Sequence, residues 1–165
     1  MIIMVMGLPG SGKSYFGERL AQKLGVEYLN SDQVRSKMDL MGQYADETRK
    51  QVYEEMAKKV DKLLGESQSV AVDATFQKET YRKIFFELAD KHKKKVSIVW
   101  VWAEENLIIE RLRKKRKDSE ADFEVYRKLK TAYENISRPH LKLQSTNDNI
   151  DRMLDQAAGY IQERE

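Results

Sequence analysis

The chain of 165 residues has a formal net charge of +3, with 35% charged and 41% hydrophobic residues, two histidines and no cysteine. This composition excludes disulfide bonds, thiolate metal sites and cysteine nucleophiles, and two histidines are too few for a histidine-based metal centre. We expect one domain over residues 1–165 and a cytoplasmic location, because no apolar stretch approaches the ~20 residues of a membrane span.

The first predicted elements are a strand, a loop and a helix. Residues 2–6 form a continuous apolar run, which is typical of a strand buried on both faces of a parallel sheet. The run leads into Gly7–Ser14, whose spacing G-x-x-x-x-G-K-[ST] is that of a phosphate-binding loop. Phe16, Leu20 and Leu24 then recur every four residues, which predicts an amphipathic helix.

Each residue type in this loop has a physical task. Glycines let successive N–H groups approach a polyphosphate, Lys13 places a positive charge on the β- and γ-phosphates, and the Ser14 hydroxyl can ligate Mg²⁺. We therefore predict ATP and Mg²⁺ as ligands; no N-K-x-D run for guanine recognition is present. The predicted nucleotide contacts are Gly7, Leu8, Pro9, Gly10, Ser11, Gly12, Lys13, Ser14 and Tyr15.

Strands and helices alternate along the rest of the chain. The predicted strands are 26–29, 69–74, 95–103 and 140–144, and the predicted helices are 30–38, 47–64, 80–92, one from 104, one from 119 to 136, and a last one capped by Thr146 or Asn147. This alternation predicts an α/β fold with a parallel sheet, right-handed crossovers and helices on both faces.

In open parallel sheets ligands bind beyond the carboxyl ends of the strands, which singles out Asp32 and Arg35 after the second strand. A carboxylate beside a γ-phosphate can accept the proton of an attacking hydroxyl, and Arg35 shares a helix face with it and can bind an acceptor phosphate or orient the carboxylate. The alternative is structural: Asp32 is then a favourable first-turn acid and Arg35 its surface partner.

Asp73 follows the apolar residues of the third strand. This is the pattern of a carboxylate that binds Mg²⁺ directly or through water in phosphate-loop proteins, and Thr75 can add a hydroxyl. We therefore predict Ser14 and Asp73 as the metal site. Otherwise Asp73 only caps the next turn.

The segment 111–117 holds six Lys or Arg residues in seven positions. It fits a solvated helix face, a nucleic-acid patch, or a basic helical lid whose arginines neutralise charge on the triphosphate. The lid candidates are Arg111 and Arg116, with Arg113 in reserve. Arg138 is placed either against the adenine base or in a structural role.

Several of these segments together resemble one branch of the phosphate-loop kinases, the zeta toxins and polynucleotide kinases. The resemblance is carried by Gly7–Ser14, Asn30–Arg35, Val72–Phe76, the basic segment, and Tyr133 to Pro139. It implies a three-layer fold whose five-stranded parallel sheet has the order 2-3-1-4-5. It also implies that Asp32 is the general base, that Arg35 contacts the acceptor's phosphate, and that lid arginines contact the donor phosphates.

The function expected from these features is transfer of the γ-phosphoryl of ATP to a hydroxyl. The expected acceptor is a polynucleotide 5′-hydroxyl, a nucleoside or a nucleotide; the alternatives are a sugar or nucleotide sugar, as for a zeta toxin, or an ATP-binding regulatory ATPase. A polynucleotide predicts an open basic channel beside Asp32, whereas a small molecule predicts a closed pocket. No protein partner is evident from the sequence.

Overall fold

A parallel sheet of five strands forms the middle layer of the protein. The computed structural model describes residues 1–115 and 119–165. The strands are β1 (Ile2–Met6), β2 (Glu27–Asn30), β3 (Val70–Ala74), β4 (Val96–Trp102) and β5 (Leu141–Gln144). Their order across the sheet is β2-β3-β1-β4-β5, which confirms the order implied by the family resemblance.

Helices cover both faces of this sheet. They are α1 (Lys13–Leu24), α2 (Ser31–Lys37), α3 (Asp46–Gly65), α4 (Glu79–Lys91), α5 (Glu105–Lys115), α6 (Ser119–Ala132) and α7 (Ile150–Gln162). Alternate side chains of β1 enter different cores: Ile2, Met4 and Met6 pack with α3 and α4, whereas Ile3 and Val5 pack with α1 and α7. This explains why the first strand reads as an unbroken apolar run, and it confirms the three-layer α/β prediction.

The register of the strands brings their carboxyl ends to one edge. Val5 of β1 pairs with Asp73 of β3, and Asn30 of β2 pairs with the same Asp73 from the other side. The loop after β1, the start of α2 and the end of β3 therefore meet at this edge, where parallel sheets bind ligands.

The end of α6 lies earlier than the apolar stripe through Ile136 predicts. After Ala132 the backbone bonds to another part of the chain instead of continuing the helix: the Glu134 amide donates to the Gln77 carbonyl at 2.9 Å. The buried Arg82 donates to the carbonyls of Glu134 and Asn135. These hydrogen bonds pair the Glu134 amide and the Glu134 and Asn135 carbonyls, so this backbone does not need the helix to satisfy its polar groups.

The predicted caps of the last helix, Thr146 and Asn147, are wrong. Helix α7 begins at Ile150 after Asn149. The Asn149 side chain accepts from the Thr146 amide at 2.9 Å and donates to the Gln144 carbonyl at 2.8 Å, so it holds the preceding loop closed. Within residues 1–115 and 119–165, no helix has the length and apolar character needed to cross a membrane.

Candidate active site at the carboxyl edge of the sheet

The loop between β1 and α1 has the backbone shape that a phosphate-binding loop needs. Gly10 and Gly12 have φ angles of +79° and +87°, which side chains rarely tolerate. A Cβ on Gly12 would also lie 2.7 Å from Ser145 Oγ. Gly12 precedes α1 without any side-chain cap, so the first N–H groups of this helix are open to an anion.

A cavity of about 430 Å³ lies beside this loop. It is lined by several residues that the sequence assigns to the site, namely Pro9, Gly10, Gly12, Lys13, Ser14, Tyr15, Asp32, Arg35 and Arg111. The structure therefore brings Lys13, predicted to bind the phosphates, and Ser14, predicted to bind Mg²⁺, into one cavity with the carboxylate predicted to act as base. Gly7, Leu8 and Ser11 belong to the loop but do not border the cavity.

Asp73 lies fully buried behind Ser14 and is joined to it through Asn30. Its Oδ2 accepts from Tyr28 Oη at 2.6 Å and from Asn30 Nδ2 at 2.8 Å, and the same Nδ2 lies 3.2 Å from Ser14 Oγ. Burial, and next the charge of Asp73, raise the pKa of the Tyr28 hydroxyl, which therefore stays protonated and donates to the carboxylate.

The other oxygen of Asp73 makes these residues fit Mg²⁺. Its Oδ1 is buried and has no hydrogen-bond partner among the described residues. A carboxylate and a serine hydroxyl are hard oxygen donors of the kind Mg²⁺ selects, with phosphate and water oxygens completing its shell. Ser14 and Asp73 are therefore the candidate pair for Mg²⁺. Within the described part of the chain, no three His, Cys, Asp or Glu side chains converge to hold a metal.

Asp32 is held at the first turn of α2 by two neighbours. Asn30 Oδ1 accepts from the amides of Asp32 and Gln33 at 2.8 and 3.2 Å, which caps the helix. Arg35 Nη1 donates to Asp32 Oδ1 at 2.8 Å. The Arg35 side chain is 5% exposed and that of Asp32 53%, so a buried guanidinium orients a carboxylate that solvent or substrate can reach.

Arg111 lies against the phosphate-binding loop. Its guanidinium donates to the Gly10 carbonyl at 3.0 Å, to Ser145 Oγ at 2.9 Å and to the Thr146 carbonyl at 3.2 Å. These bonds fix it between the loop and the segment after β5. Arg113 is exposed and borders a shallow surface depression instead of the cavity. The other lid candidate, Arg116, lies outside the described residues.

Arg138 is not brought to the cavity. Its guanidinium lies 3.8 Å from the centre of the Phe86 ring, on helix α4. The sequence leaves two roles open for this residue. The structural role matches this position, because the guanidinium makes a cation–π contact with the Phe86 ring.

Tyr44, Arg49 and Tyr53 are among the cavity-lining residues that sequence reasoning misses. Arg49 is 7% exposed, and its Nε donates to the Tyr44 carbonyl at 2.8 Å. One signal for Arg49 is present in the sequence, since it occupies the apolar stripe of α3 together with Val52 and Met56. A charged residue in such a stripe indicates a buried polar role.

Comparison with known proteins places these features in a wider group. A family model described as an AAA domain matches residues 2–136. No curated protein matches the sequence significantly.

Solved structures share the fold over almost their whole length. The APS kinase CysC of Mycobacterium tuberculosis, in complex with AMPPNP and APS, is 18% identical, with a TM-score of 0.75 over 98% of this chain and 96% of that chain. A gluconokinase from Sinorhizobium meliloti 1021 is 18% identical, with a TM-score of 0.69 over 99% and 97%. Kti12 of Chaetomium thermophilum, in complex with ADP-AlF3, is 18% identical, with a TM-score of 0.75 over 99% and 98%. At such identities the likeness concerns the fold.

Proposed function

Because this chain belongs to the AAA domain family, we propose that it is an ATP- and Mg²⁺-dependent phosphotransferase with a small hydroxylated molecule as acceptor. The observation that carries the proposal is that Asp32 lines the same cavity as Lys13 and Ser14. A nucleotide-binding ATPase needs the lysine and the serine, whereas a carboxylate beside them, exposed to the cavity and aligned by an arginine, is what a kinase needs.

The donor half of the site is the phosphate-binding loop. The open N–H groups at the start of α1 and the Lys13 ammonium bind the phosphates of ATP, and Ser14 with Asp73 holds Mg²⁺. When bound, Mg²⁺ neutralises charge on the phosphates. Arg111 is fixed to the loop by its three hydrogen bonds and lines the cavity, so we keep the role that the resemblance implies for it, a contact with the donor phosphates.

In the transfer itself, Asp32 takes the proton of the acceptor hydroxyl. The hydroxyl oxygen forms a bond to the γ-phosphorus, the bond from that phosphorus to the β,γ-bridging oxygen breaks, and ADP leaves. Arg35 holds Asp32 Oδ1 and so fixes the direction of the carboxylate. Most of the rate acceleration then comes from positioning and from charge stabilisation.

The shape of the acceptor side favours a small molecule over a polynucleotide. Arg35, Arg49 and Tyr53 line this side of the cavity and are at most 7% exposed. Such walls resemble the closed pocket expected for a small acceptor more than an open basic channel. Consistent with this, the structurally similar APS kinase is in complex with APS, a small molecule. The narrower resemblance to zeta toxins and polynucleotide kinases stays a prediction.

Asp32→Asn tests the assigned chemistry. The variant is expected to keep its affinity for ATP, because the phosphate-binding loop is unchanged, and to lose about 10²- to 10⁴-fold in transfer rate, because the base is gone. The measurement is transfer from labelled ATP to a panel of hydroxy acids, sugars, nucleosides and 5′-hydroxyl DNA and RNA, together with nucleotide titration.

Asp39→Asn is the matched control, because Asp39 is an exposed acid just beyond α2 whose φ of +58° asparagine also tolerates. Its transfer rate should equal that of the wild type. Equal transfer rates in Asp32→Asn and the wild type would refute Asp32 as the base. If the wild type transfers the γ-phosphoryl group only to water and to no acceptor of the panel, the regulatory ATPase is favoured instead.

A further inference from the structure

A tyrosine of the edge strand β2 reaches the buried carboxylate behind the phosphate-binding loop. Tyr28 Oη donates to Asp73 Oδ2 at 2.6 Å and accepts from Asn30 Nδ2 at 3.1 Å. Asn30 Nδ2 also donates to Asp73 Oδ2, at 2.8 Å. The hydroxyl, the amide and the carboxylate oxygen therefore form a closed triangle of hydrogen bonds, in which two neutral donors converge on one oxygen of Asp73.

The other oxygen of Asp73 has no partner among the described residues. Asp73 is fully buried, and its Oδ1 accepts no hydrogen bond from them. No Lys, Arg or His nitrogen of the described residues lies within 4.0 Å of the carboxylate. A buried carboxylate without a cation is costly, and the two neutral donors on Oδ2 leave its charge in place. The arrangement therefore fits a carboxylate that a cation completes at Oδ1.

The first helix leaves room for the Tyr28 ring. Gly17 lies inside α1, where glycine is less favourable than alanine. A Cβ at this position would lie 3.3 Å from Cε1 of the Tyr28 ring and 3.7 Å from Asp73 Oδ2. Alanine would favour the helix but crowd the ring, so the glycine fits a role for the position of the ring.

Packing alone does not account for the Tyr28 hydroxyl. Tyr28 and Tyr160 pack against the same core, between the sheet and helices α1 and α7. The Tyr160 hydroxyl is buried and has no hydrogen-bond partner among the described residues, so a tyrosine ring is held in this core without such a bond. The Tyr28 hydroxyl adds a contact that phenylalanine lacks, and that contact is with the carboxylate.

We propose that Tyr28 is a positioning residue for Mg²⁺. Its hydroxyl occupies Oδ2 of Asp73 and prevents the carboxylate from turning, so that Oδ1 stays available as a metal ligand. The proposal rests on the Mg²⁺-dependent function proposed above, and it adds a residue that does not line the cavity. Partners of this kind contact a metal ligand instead of the metal, and their removal typically weakens metal binding about 10- to 100-fold.

Tyr28→Phe tests the proposal, because it removes the hydroxyl and keeps the ring. Calorimetry gives the dissociation constant of the ATP analogue AMPPNP for the full chain, once with EDTA and once with saturating Mg²⁺. The ratio of the two constants is the factor by which Mg²⁺ tightens nucleotide binding. By linkage, it is also the factor by which the protein strengthens the binding of Mg²⁺ to the nucleotide.

The wild-type ratio is expected to exceed one, and the ratio in Tyr28→Phe to be about tenfold lower. The affinity measured with EDTA should stay within about twofold of the wild type, because the phosphate-binding loop and Lys13 are unchanged. A merely structural role would weaken binding equally with and without Mg²⁺ and leave the ratio unchanged. Such an unchanged ratio would overturn the proposal.

Tyr160→Phe is the matched control, since it removes a hydroxyl from the same core and should keep both affinities. Should Tyr28→Phe fail to fold, Gly17→Ala makes the comparison. It favours α1 and crowds the Tyr28 ring, so its ratio should also fall. A wild-type ratio in the folded Gly17→Ala protein would then overturn the proposal.

The titration involves no phosphoryl transfer, so it separates the role of Tyr28 from the reaction. A lower ratio in Tyr28→Phe of a protein that transfers phosphate to no acceptor would leave the positioning role standing and refute the kinase function. An unchanged ratio in Tyr28→Phe of a working kinase would refute the role of Tyr28 alone. A wild-type ratio of one or less would overturn the Mg²⁺ site, and the role of Tyr28 with it.

Discussion

Asn30 connects three parts of the candidate site through a single side chain. Its Oδ1 caps α2 at the amides of Asp32 and Gln33, while its Nδ2 reaches Asp73 Oδ2 and Ser14 Oγ. The carboxylate proposed as base, the carboxylate proposed to bind Mg²⁺ and the serine of the phosphate-binding loop therefore have a fixed relation to one another. This one amide therefore supports both halves of the site.

Asn30→Ala is therefore expected to lower the free energy of unfolding by about 1–3 kcal/mol, through the lost cap and the lost donor to buried Asp73. Asn30→Asp keeps the capping oxygen but places a second carboxylate against Asp73, so it should also destabilise. Urea unfolding measures both effects. Gln33→Ala, an exposed change in the same turn, should stay within about 0.5 kcal/mol, and an equal loss in Gln33→Ala and Asn30→Ala would contradict the assigned role.

The residues predicted and missed by sequence differ in how local their signals are. Lys13 and Ser14 belong to a motif eight residues long, Gly7–Ser14, so adjacent positions carry the whole pattern. Arg49 acts with Tyr44 and Arg35, which the fold alone brings together. Its place in an apolar stripe indicates burial, but not what it faces.

At the scale of elements, the end of α6 is held by side chains that are distant in the sequence. Tyr133 Oη donates to the Thr75 carbonyl, and Arg82 reaches the carbonyls of Glu134 and Asn135. Apolar periodicity predicts that each helix and strand exists, because that signal is repeated along the element. It cannot predict an end set by partners more than fifty residues away.

Tyr133→Phe removes only the hydroxyl that donates to the Thr75 carbonyl, and so tests whether this bond holds the end of α6. The free energy of unfolding should fall by about 0.5–1.5 kcal/mol, because one buried hydrogen bond is lost while the ring keeps its edge contact with Trp100. Amide exchange at the end of α6 should rise. Tyr160→Phe is the control, since the buried Tyr160 hydroxyl has no hydrogen-bond partner among the described residues and its removal should cost nothing. A larger loss in Tyr160→Phe than in Tyr133→Phe would refute the assignment.

The cavity is bounded by residues from both sides of the sheet. Lys13 belongs to α1, Arg35 to α2, and Arg111 to α5, and Ser145 follows β5. A nucleotide that contacts several of these elements binds only the folded state. Its binding free energy therefore adds to the stability of the entire domain.

Mg–ADP at a concentration of about one hundred times its dissociation constant is expected to raise the free energy of unfolding by about 2.7 kcal/mol. Lys13→Ala should lose most of this gain at the same concentration, because the phosphate charge is no longer neutralised. Lys58→Ala, at an exposed position of α3, should keep it. Thermal unfolding with and without Mg–ADP makes the comparison; an unchanged gain in Lys13→Ala would contradict the assigned phosphate-binding loop.

The pairing of Asn30 with Asp73 has a consequence for how the chain reaches its native state. Strand β2 is a four-residue strand at the edge of the sheet, where mispairing by one position is easiest. Such a slip would move Asn30 away from Asp73 and bring a neighbouring residue, Leu29 for one direction, into its place. The misregistered chain would lose both the cap of α2 and the support of Asp73, the carboxylate proposed to bind Mg²⁺. A nucleotide that needs Ser14 and Asp73 in their native places would therefore favour molecules with the correct register at equilibrium.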